Sequence, residues 1–257
     1  MAGAIELRGV EKRYGAHLAL AGVSLAVAAG EFVALVGGSG SGKTTLLKTI
    51  NALIAPDAGE ILVEGERVSG QPPHLLRRRI GYVFQEIGLF PHLSVAENIA
   101  VTPKLLGWDA ARVARRVETL LDLTALPPEV ARRAPSELSG GQRQRVGVAR
   151  ALAAEPRLML MDEPFGALDP LTRDQLGADY RALHERLGLT TLMVTHDMAE
   201  AVLLADRIAV LADGRLVADG APAELLAHTT DPEVRALLEA PRRQADRLRA
   251  KLAADPS

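Results

Sequence analysis

An α/β fold around a largely parallel sheet is what the sequence predicts, on three observations. Short β-branched and apolar runs alternate with longer helix-like segments. Four of these runs, FVALVG (32–37), IGYVF (80–84), LMLM (158–161) and TLMVT (191–195), are almost continuously apolar, as strands covered on both faces are. Each run is followed by groups suited to phosphate or to a hard cation: a glycine-rich loop with a lysine, then Gln85, then Asp162-Glu163, then His196. Ligands of open parallel sheets bind beyond the carboxyl ends of the strands, so one edge of the sheet is expected to be functional.

The remaining elements fall into place around that sheet. IELRGV (5–10) and EILVEGERV (60–68), with their turn glycines, read as antiparallel strands. The stretch from about 93 to 135 carries Arg/Glu faces and the breaks Pro103, Pro127 and Pro128, and reads as a helical insertion. Counted with the flanking segments, that insertion runs over about 90–155 of a single domain spanning 1–240. Residues 241–257 form a short basic tail of helical pattern, expected to be solvated.

Composition removes several functions. The 257 residues can bury a sizeable core, and with aromatics at 3% that core must be mainly aliphatic. A formal net charge of −2 gives no reason to expect nucleic acid. There is no cysteine, which excludes disulfides, thiolate metal sites and cysteine nucleophiles. The first residues lack the apolar stretch of a signal peptide. The longest apolar segment, residues 18–29, falls short of the roughly 20 residues a bilayer span requires. A membrane role is therefore expected to run through another chain.

Residues 37–44, Gly37-Gly38-Ser39-Gly40-Ser41-Gly42-Lys43-Thr44, fit G-x-x-x-x-G-K-[ST] between a strand and a helix, the context that gives this motif its meaning. The glycines let successive N–H groups turn inward around phosphate oxygens, and the helix that follows, opening with Thr44 and Thr45, points its positive end at them. Lys43 is then placed to bridge β- and γ-phosphates, and the Thr44 hydroxyl to ligate Mg²⁺. Asp162 ends an apolar run, where a carboxylate needs a cation or donors, and it is expected at the same metal. Glu163 beside it can take a proton from a water attacking the γ-phosphate. Gln85 can touch the metal and that water, and His196 can hydrogen-bond the γ-phosphate. Tyr14, in EKRYGAH, has two readings: a turn tyrosine, or a ring stacked on an adenine face.

LSGGQ (138–142) is the other glycine-bearing helix start. Ser139 and Gln142 make a capping box, which accounts for those two residues but not for Gly140 and Gly141. Glycine in a helix costs up to about 1 kcal/mol relative to alanine. Bare N–H groups at a helix start offer a second anion site, and since the chain has its own P-loop, this site is expected to complete the P-loop of another copy.

Together, the P-loop at 37–44, Gln85, LSGGQ, LMLMDEP (158–164), Ala167-Leu168-Asp169 and His196 resemble the ATP-binding-cassette (ABC) ATPases. They stand in that family's order, and the resemblance covers about residues 4–228. It implies a P-loop NTPase core with a mostly parallel sheet, an antiparallel β subdomain and an inserted α-helical subdomain. It also implies ATP hydrolysis with Mg²⁺ by a head-to-tail homodimer around two ATP, with Asp169 at the dimer seam. A groove near Gln85 would receive a coupling helix from transmembrane permease subunits, with a substrate-binding protein in the complex, at the cytoplasmic face of the inner or plasma membrane. A narrower resemblance lies in QEIGLFPHLSVAENI (85–99), TINALIAPDAGEI (49–61) and PKLLGW (103–108), which look like importer ATPases for quaternary amines such as glycine betaine and choline. Competing classes fit less well. A GTPase would show N-K-x-D, and the sequence has no Asn-Lys pair. A small-molecule kinase would leave LSGGQ unexplained. A soluble ABC ATPase switch would bring a coiled-coil insertion or a second cassette, and neither is in the sequence.

Overall fold

The structure, a computed structural model, describes residues 3–254. A long hairpin comes first, β1 (Ile5–Tyr14) and β2 (His17–Val27), followed by β3 (Phe32–Val36), the glycine-rich loop and α1 (Lys43–Ile50). β4 (Ala58–Val63) and β5 (Glu66–Arg67) join the hairpin in an antiparallel sheet of order β2-β1-β4-β5. After α2 (Pro73–Arg79) and β6 (Ile80–Val83) comes the helical stretch, α3 (Val95–Leu105), α4 (Ala110–Leu123) and α5 (Gly140–Leu152). The chain then returns to the sheet through β7 (Leu158–Asp162), α6 (Pro170–Leu187), β8 (Thr190–Val194), α7 (Met198–Leu204), β9 (Arg207–Ala212) and β10 (Arg215–Gly220). Three helices follow, α8 (Pro222–His228), α9 (Pro232–Leu238) and α10 (Ala240–Ala254). The predicted basic tail falls on α10 as far as residue 254, and its last three positions lie outside the described residues.

The main sheet has six strands in the order β10-β9-β3-β8-β7-β6, all parallel except β10 at one edge. The predicted α/β class with a mostly parallel sheet is therefore the observed one. All four apolar runs are strands, and they are consecutive neighbours in the sheet. Their side chains alternate between the two faces of the sheet with the period of a strand. Val33, Leu35, Leu158, Leu160, Leu192 and Val194 pack toward α1 and the antiparallel sheet. Phe32, Met159, Met161 and Met193 pack on the other face, against the helical stretch and α6. Phe32, Phe165 and Tyr180 are the aromatic side chains buried among the described residues, so the core is aliphatic as composition requires.

One sequence expectation is corrected. Pro103 does not break the helical stretch but lies inside α3, near its end. Its missing N–H costs a single ladder bond, the helix runs on to Leu105, and the Pro103 carbonyl accepts from the Leu106 and Trp108 amides at 3.2 and 3.1 Å. Pro127 and Pro128 behave as expected, at the entry of a 3-10 turn, Pro128–Arg132.

Candidate nucleotide site

The carboxyl ends of β3, β8, β7 and β6 present, in that spatial order, the glycine loop, His196, Asp162-Glu163 and Gln85. Neighbouring strands in a sheet lie about 4.8 Å apart, so residues far apart in sequence become lateral neighbours.

The loop after β3 is locked in place by its surroundings. Gly37 has φ +151°, and a Cβ there would fall 2.0 Å from the Leu211 carbonyl oxygen. Gly42, at φ +102°, would bring a Cβ to 2.4 Å from the Ala19 oxygen. Only glycine fits at either position. Gly38, Ser39 and Gly40 are exposed at the loop's outer side. Lys43 is buried, its ammonium donating to the Gly37 and Gly38 carbonyls at 2.9 and 2.7 Å and to Ser41 Oγ at 3.3 Å. Burial pushes its pKa below the usual lysine range, and the carboxylates of Glu163 and Asp162 oppose that shift. Thr44 and Thr45 stand half-buried in the first turn of α1.

Thr44 Oγ1 donates to Asp162 Oδ1 at 2.9 Å. Asp162 is 4% exposed, and burial raises its pKa above the usual carboxylate value against the pull of the Thr44 hydrogen bond. A buried carboxylate in that condition gains from a cation. The Thr44 hydroxyl beside the Asp162 carboxylate suits a hard ion such as Mg²⁺, which takes one or two carboxylates and keeps several waters. Among the described residues no group of three or more His, Cys, Asp or Glu forms a metal cage on its own.

Glu163 is the junction of the edge. Its Oε2 accepts from Gln85 Nε2 at 2.9 Å and lies 3.3 Å from His196 Nδ1. Its amide donates to the Val194 carbonyl at 2.9 Å, extending the β7–β8 ladder by one residue. Its φ of +46° is unusual for a non-glycine residue and turns the chain sharply at that point. Of the predicted residues, the structure thus brings Lys43, Thr44, Asp162, Glu163, Gln85 and His196 to one edge. Tyr14 ends β1, is 48% exposed, and has Lys12 Nζ 5.7 Å from its ring centroid.

Ser139 to Gln142 stand apart from this group. The capping box forms: Gln142 N donates to Ser139 Oγ at 3.2 Å, and Ser139 N to Gln142 Oε1 at 3.0 Å. The two glycines differ. A Cβ on Gly141 would meet Thr172 Cγ2 at 2.8 Å, so close packing against α6 accounts for it. A Cβ on Gly140 would find only ordinary contacts, with Leu168 at 3.7 Å. Packing within the chain gives no reason for that glycine. Asp169 is exposed and caps α6 through Thr172 N at 3.0 Å.

Sequence reasoning missed two arginines. Arg150, on α5, donates to the Ile87 and Gly88 carbonyls at 2.6 and 2.7 Å and so ties the segment after Gln85 to the LSGGQ helix. Arg173, on α6, bonds the turn that precedes Asp169. Neither has a local sequence signal, because both act on backbone carbonyls of distant or irregular segments.

Comparison with known proteins places the chain in a family. The ABC transporter family description matches residues 20–166. The chain is 51% identical over 228 residues to the choline transport ATP-binding protein of Bacillus subtilis, covering 88% of this chain and 60% of that protein. It is 48% identical to the glycine betaine uptake system ATP-binding protein of Escherichia coli, with 90% and 75% covered. A sulfate/thiosulfate import ATP-binding protein of Caulobacter vibrioides is 50% identical, with 85% and 65% covered. The chain thus spans between 60% and 75% of the length of these relatives. A solved dimeric ATP-binding cassette in a post-hydrolysis state, bound to ADP and Pi, superposes with TM-score 0.76 at 34% identity, covering 84% of this chain and 98% of that one. With over half of its length matched by the family description and a 48% identical relative covered over three quarters of its length, the chain belongs to the ABC transporter family.

Proposed function

We propose that this chain is the ATP-hydrolysing subunit of an importer, and that its cargo is a quaternary amine such as choline or glycine betaine. The observation that carries the ATPase reading is the sheet edge where Glu163 is held between Gln85 and His196, beside the Lys43, Thr44 and Asp162 cluster. The cargo reading rests on the choline and glycine betaine relatives together with the 85–99 segment. The chain itself has no helix long and apolar enough to cross a membrane among its described residues, so the solute would pass through a separate permease.

In this reading the inward N–H groups of residues 37–44 and the α1 terminus hold the phosphates, and Lys43 exchanges its carbonyl partners for β- and γ-phosphate oxygens. Thr44 and Asp162, with Gln85, would hold Mg²⁺, which would neutralise charge on the phosphoryl group. Glu163 accepts the proton of the attacking water, His196 hydrogen-bonds the γ-phosphate, and Tyr14 stacks on the base. Ser139, Gly140, Gly141 and Gln142 of a second copy grip the same γ-phosphate, so ATP closes the head-to-tail dimer and hydrolysis reopens it. Moving such an equilibrium from 1:99 to 99:1 takes about 5.5 kcal/mol of differential binding. Two ATP molecules, each with several charge-assisted hydrogen bonds, are of the right size to supply it.

A groove of about 490 Å³, lined by Tyr82, Phe84, Phe90, Val101 and Arg150, adjoins Gln85. Phe84 and Phe90 are exposed at 43% and 42%, which suits an apolar partner helix of the permease. Such an assembly, with a substrate-binding protein, would sit at the cytoplasmic face of the membrane. The decisive test is Glu163→Gln. The variant is expected to bind ATP, to hydrolyse it about 10²–10⁴-fold more slowly, and to accumulate as a dimer in sedimentation. Turnover at the normal rate would remove Glu163 from its role. Cargo is tested in the reconstituted complex, where choline or glycine betaine, and not sulfate, is expected to raise ATP turnover.

A further inference from the structure

Arg173 lies in the first turn of α6, four residues beyond Asp169. Its Nη2 donates to the Leu168 carbonyl at 3.0 Å and to the Gly166 carbonyl at 3.3 Å, while Nη1 donates to Asp197 Oδ2 at 3.1 Å. One guanidinium therefore joins the turn 163–169 to the residue that follows His196. The loop around His196 is itself bonded on both sides. Asp197 N donates to Thr195 Oγ1 at 3.0 Å, Thr195 Oγ1 donates to Glu200 Oε2 at 2.6 Å, and Asp197 Oδ1 accepts from Ala199 N at 2.8 Å. The same turn passes directly over the imidazole: a Cβ on Gly166 would stand 3.6 Å from His196 Cε1 and 3.8 Å from Glu163 Oε2.

One contact in this network is slack. Arg173 Nε and Glu200 Oε1 lie 3.6 Å apart, and both atoms are buried without a hydrogen-bond partner. A buried donor and acceptor left open are costly, and a displacement of well under an ångström would join them. A residue that only capped α6 would need neither Asp197 nor Glu200.

We propose that Arg173 is a positioning residue that seats the His196 imidazole by holding the turn 163–169 against Asp197 and Glu200. The proposal rests on the reading of Glu163 and His196 given above. It adds a route by which the turn 163–169 reaches the hydrolytic edge within one chain, through the guanidinium.

The test pairs NMR with kinetics. The His196 Cε1–H cross-peak is assigned with His196→Gln and followed in Arg173→Gln without nucleotide. The peak is expected to move while those of the other histidines hold, and kcat for ATP to fall at least about fivefold with KM within about twofold, since ground-state binding is left intact. Arg173→Lys is expected to recover part of kcat. A stationary peak, an unchanged kcat, or a loss carried wholly by KM overturns the proposal. If Arg173→Gln does not fold, Glu200→Gln replaces it and must move the same peak, failing which the proposal is also overturned. A wild-type chain without ATP turnover would sink the parent reading, and the peak would still decide this one.

Discussion

The two glycine-bearing helix starts, at Gly42-Lys43 and at Ser139-Gly140, look alike in sequence and differ in what holds them. The first is compelled by its surroundings. Gly37 and Gly42 each lie where a Cβ would strike a backbone oxygen, and Lys43 spends its donors on the loop's own carbonyls. The second is capped by its own Ser139 and Gln142, and Gly140 faces room enough for a side chain. One loop is required by the fold as well as by any ligand, whereas Gly140 is tolerated by the fold without being needed by it. Stability and activity should therefore separate at Gly140 and not at Gly37 or Gly42.

Two substitutions probe that contrast. Gly37→Ala should lose about 3 kcal/mol of stability, the upper part of the overpacking range, lowering Tm by roughly 6–12 °C in a chain of this size. A calorimetric scan without nucleotide checks it, and an unshifted Tm would dissolve the distinction. Gly140→Glu should leave Tm within about 2 °C, since an acid at a helix start is favoured by the helix dipole. It should nonetheless cut ATP turnover about 100-fold, close to 2.7 kcal/mol at 1.36 kcal/mol per decade, by setting a carboxylate against phosphate. Equal damage to Tm and turnover would place Gly140 with Gly37.

Asp162→Asn gives a smaller effect on stability than Gly37→Ala, and of the opposite sign. Burial holds the Asp162 pKa above 3.8, so in the folded state the charged form is the disfavoured one. Its penalty is fully present above the folded pKa and disappears below the unfolded value. The variant should thus be more stable than the parent at pH 7, by about 1 kcal/mol or roughly 2–4 °C. The two melting curves should converge as pH falls through the window between the raised pKa and 3.8. Turnover should fall if, as proposed, this carboxylate helps hold the metal. A variant less stable at pH 7 would mean that the Thr44 hydrogen bond outweighs the burial of charge.

Much of the site was legible in the sequence because it is written in short local patterns. The P-loop, the apolar run ending in Asp162-Glu163, and LSGGQ each announce a strand end or a helix start. Runs such as FVALVG and LMLM carry the period of buried strands and found their places. β9 and β10 were not read out, since RIAVLA has no functional residue after it and β10 is a polar edge strand with alternating exposure. Pro103 was read as a break because local rules cannot tell the end of a helix from its interior. Arg150 and Arg173 were out of reach altogether. Both are exposed-type residues by composition, and their partners are carbonyls that only the folded chain brings near.

The strict side-chain alternation along β3, β7 and β8 has a consequence beyond packing. The same two-residue period that sends Met159 and Met161 to one core and Leu158 and Leu160 to the other also decides which way Asp162 points. A slip of one residue in that strand would exchange its buried faces and swing the carboxylate away from Thr44 in the same motion. Hydrocarbon far from any phosphate thus acts as the gauge block of the reaction centre, and a chain that misaligned its chemistry would first have to misplace its methionines.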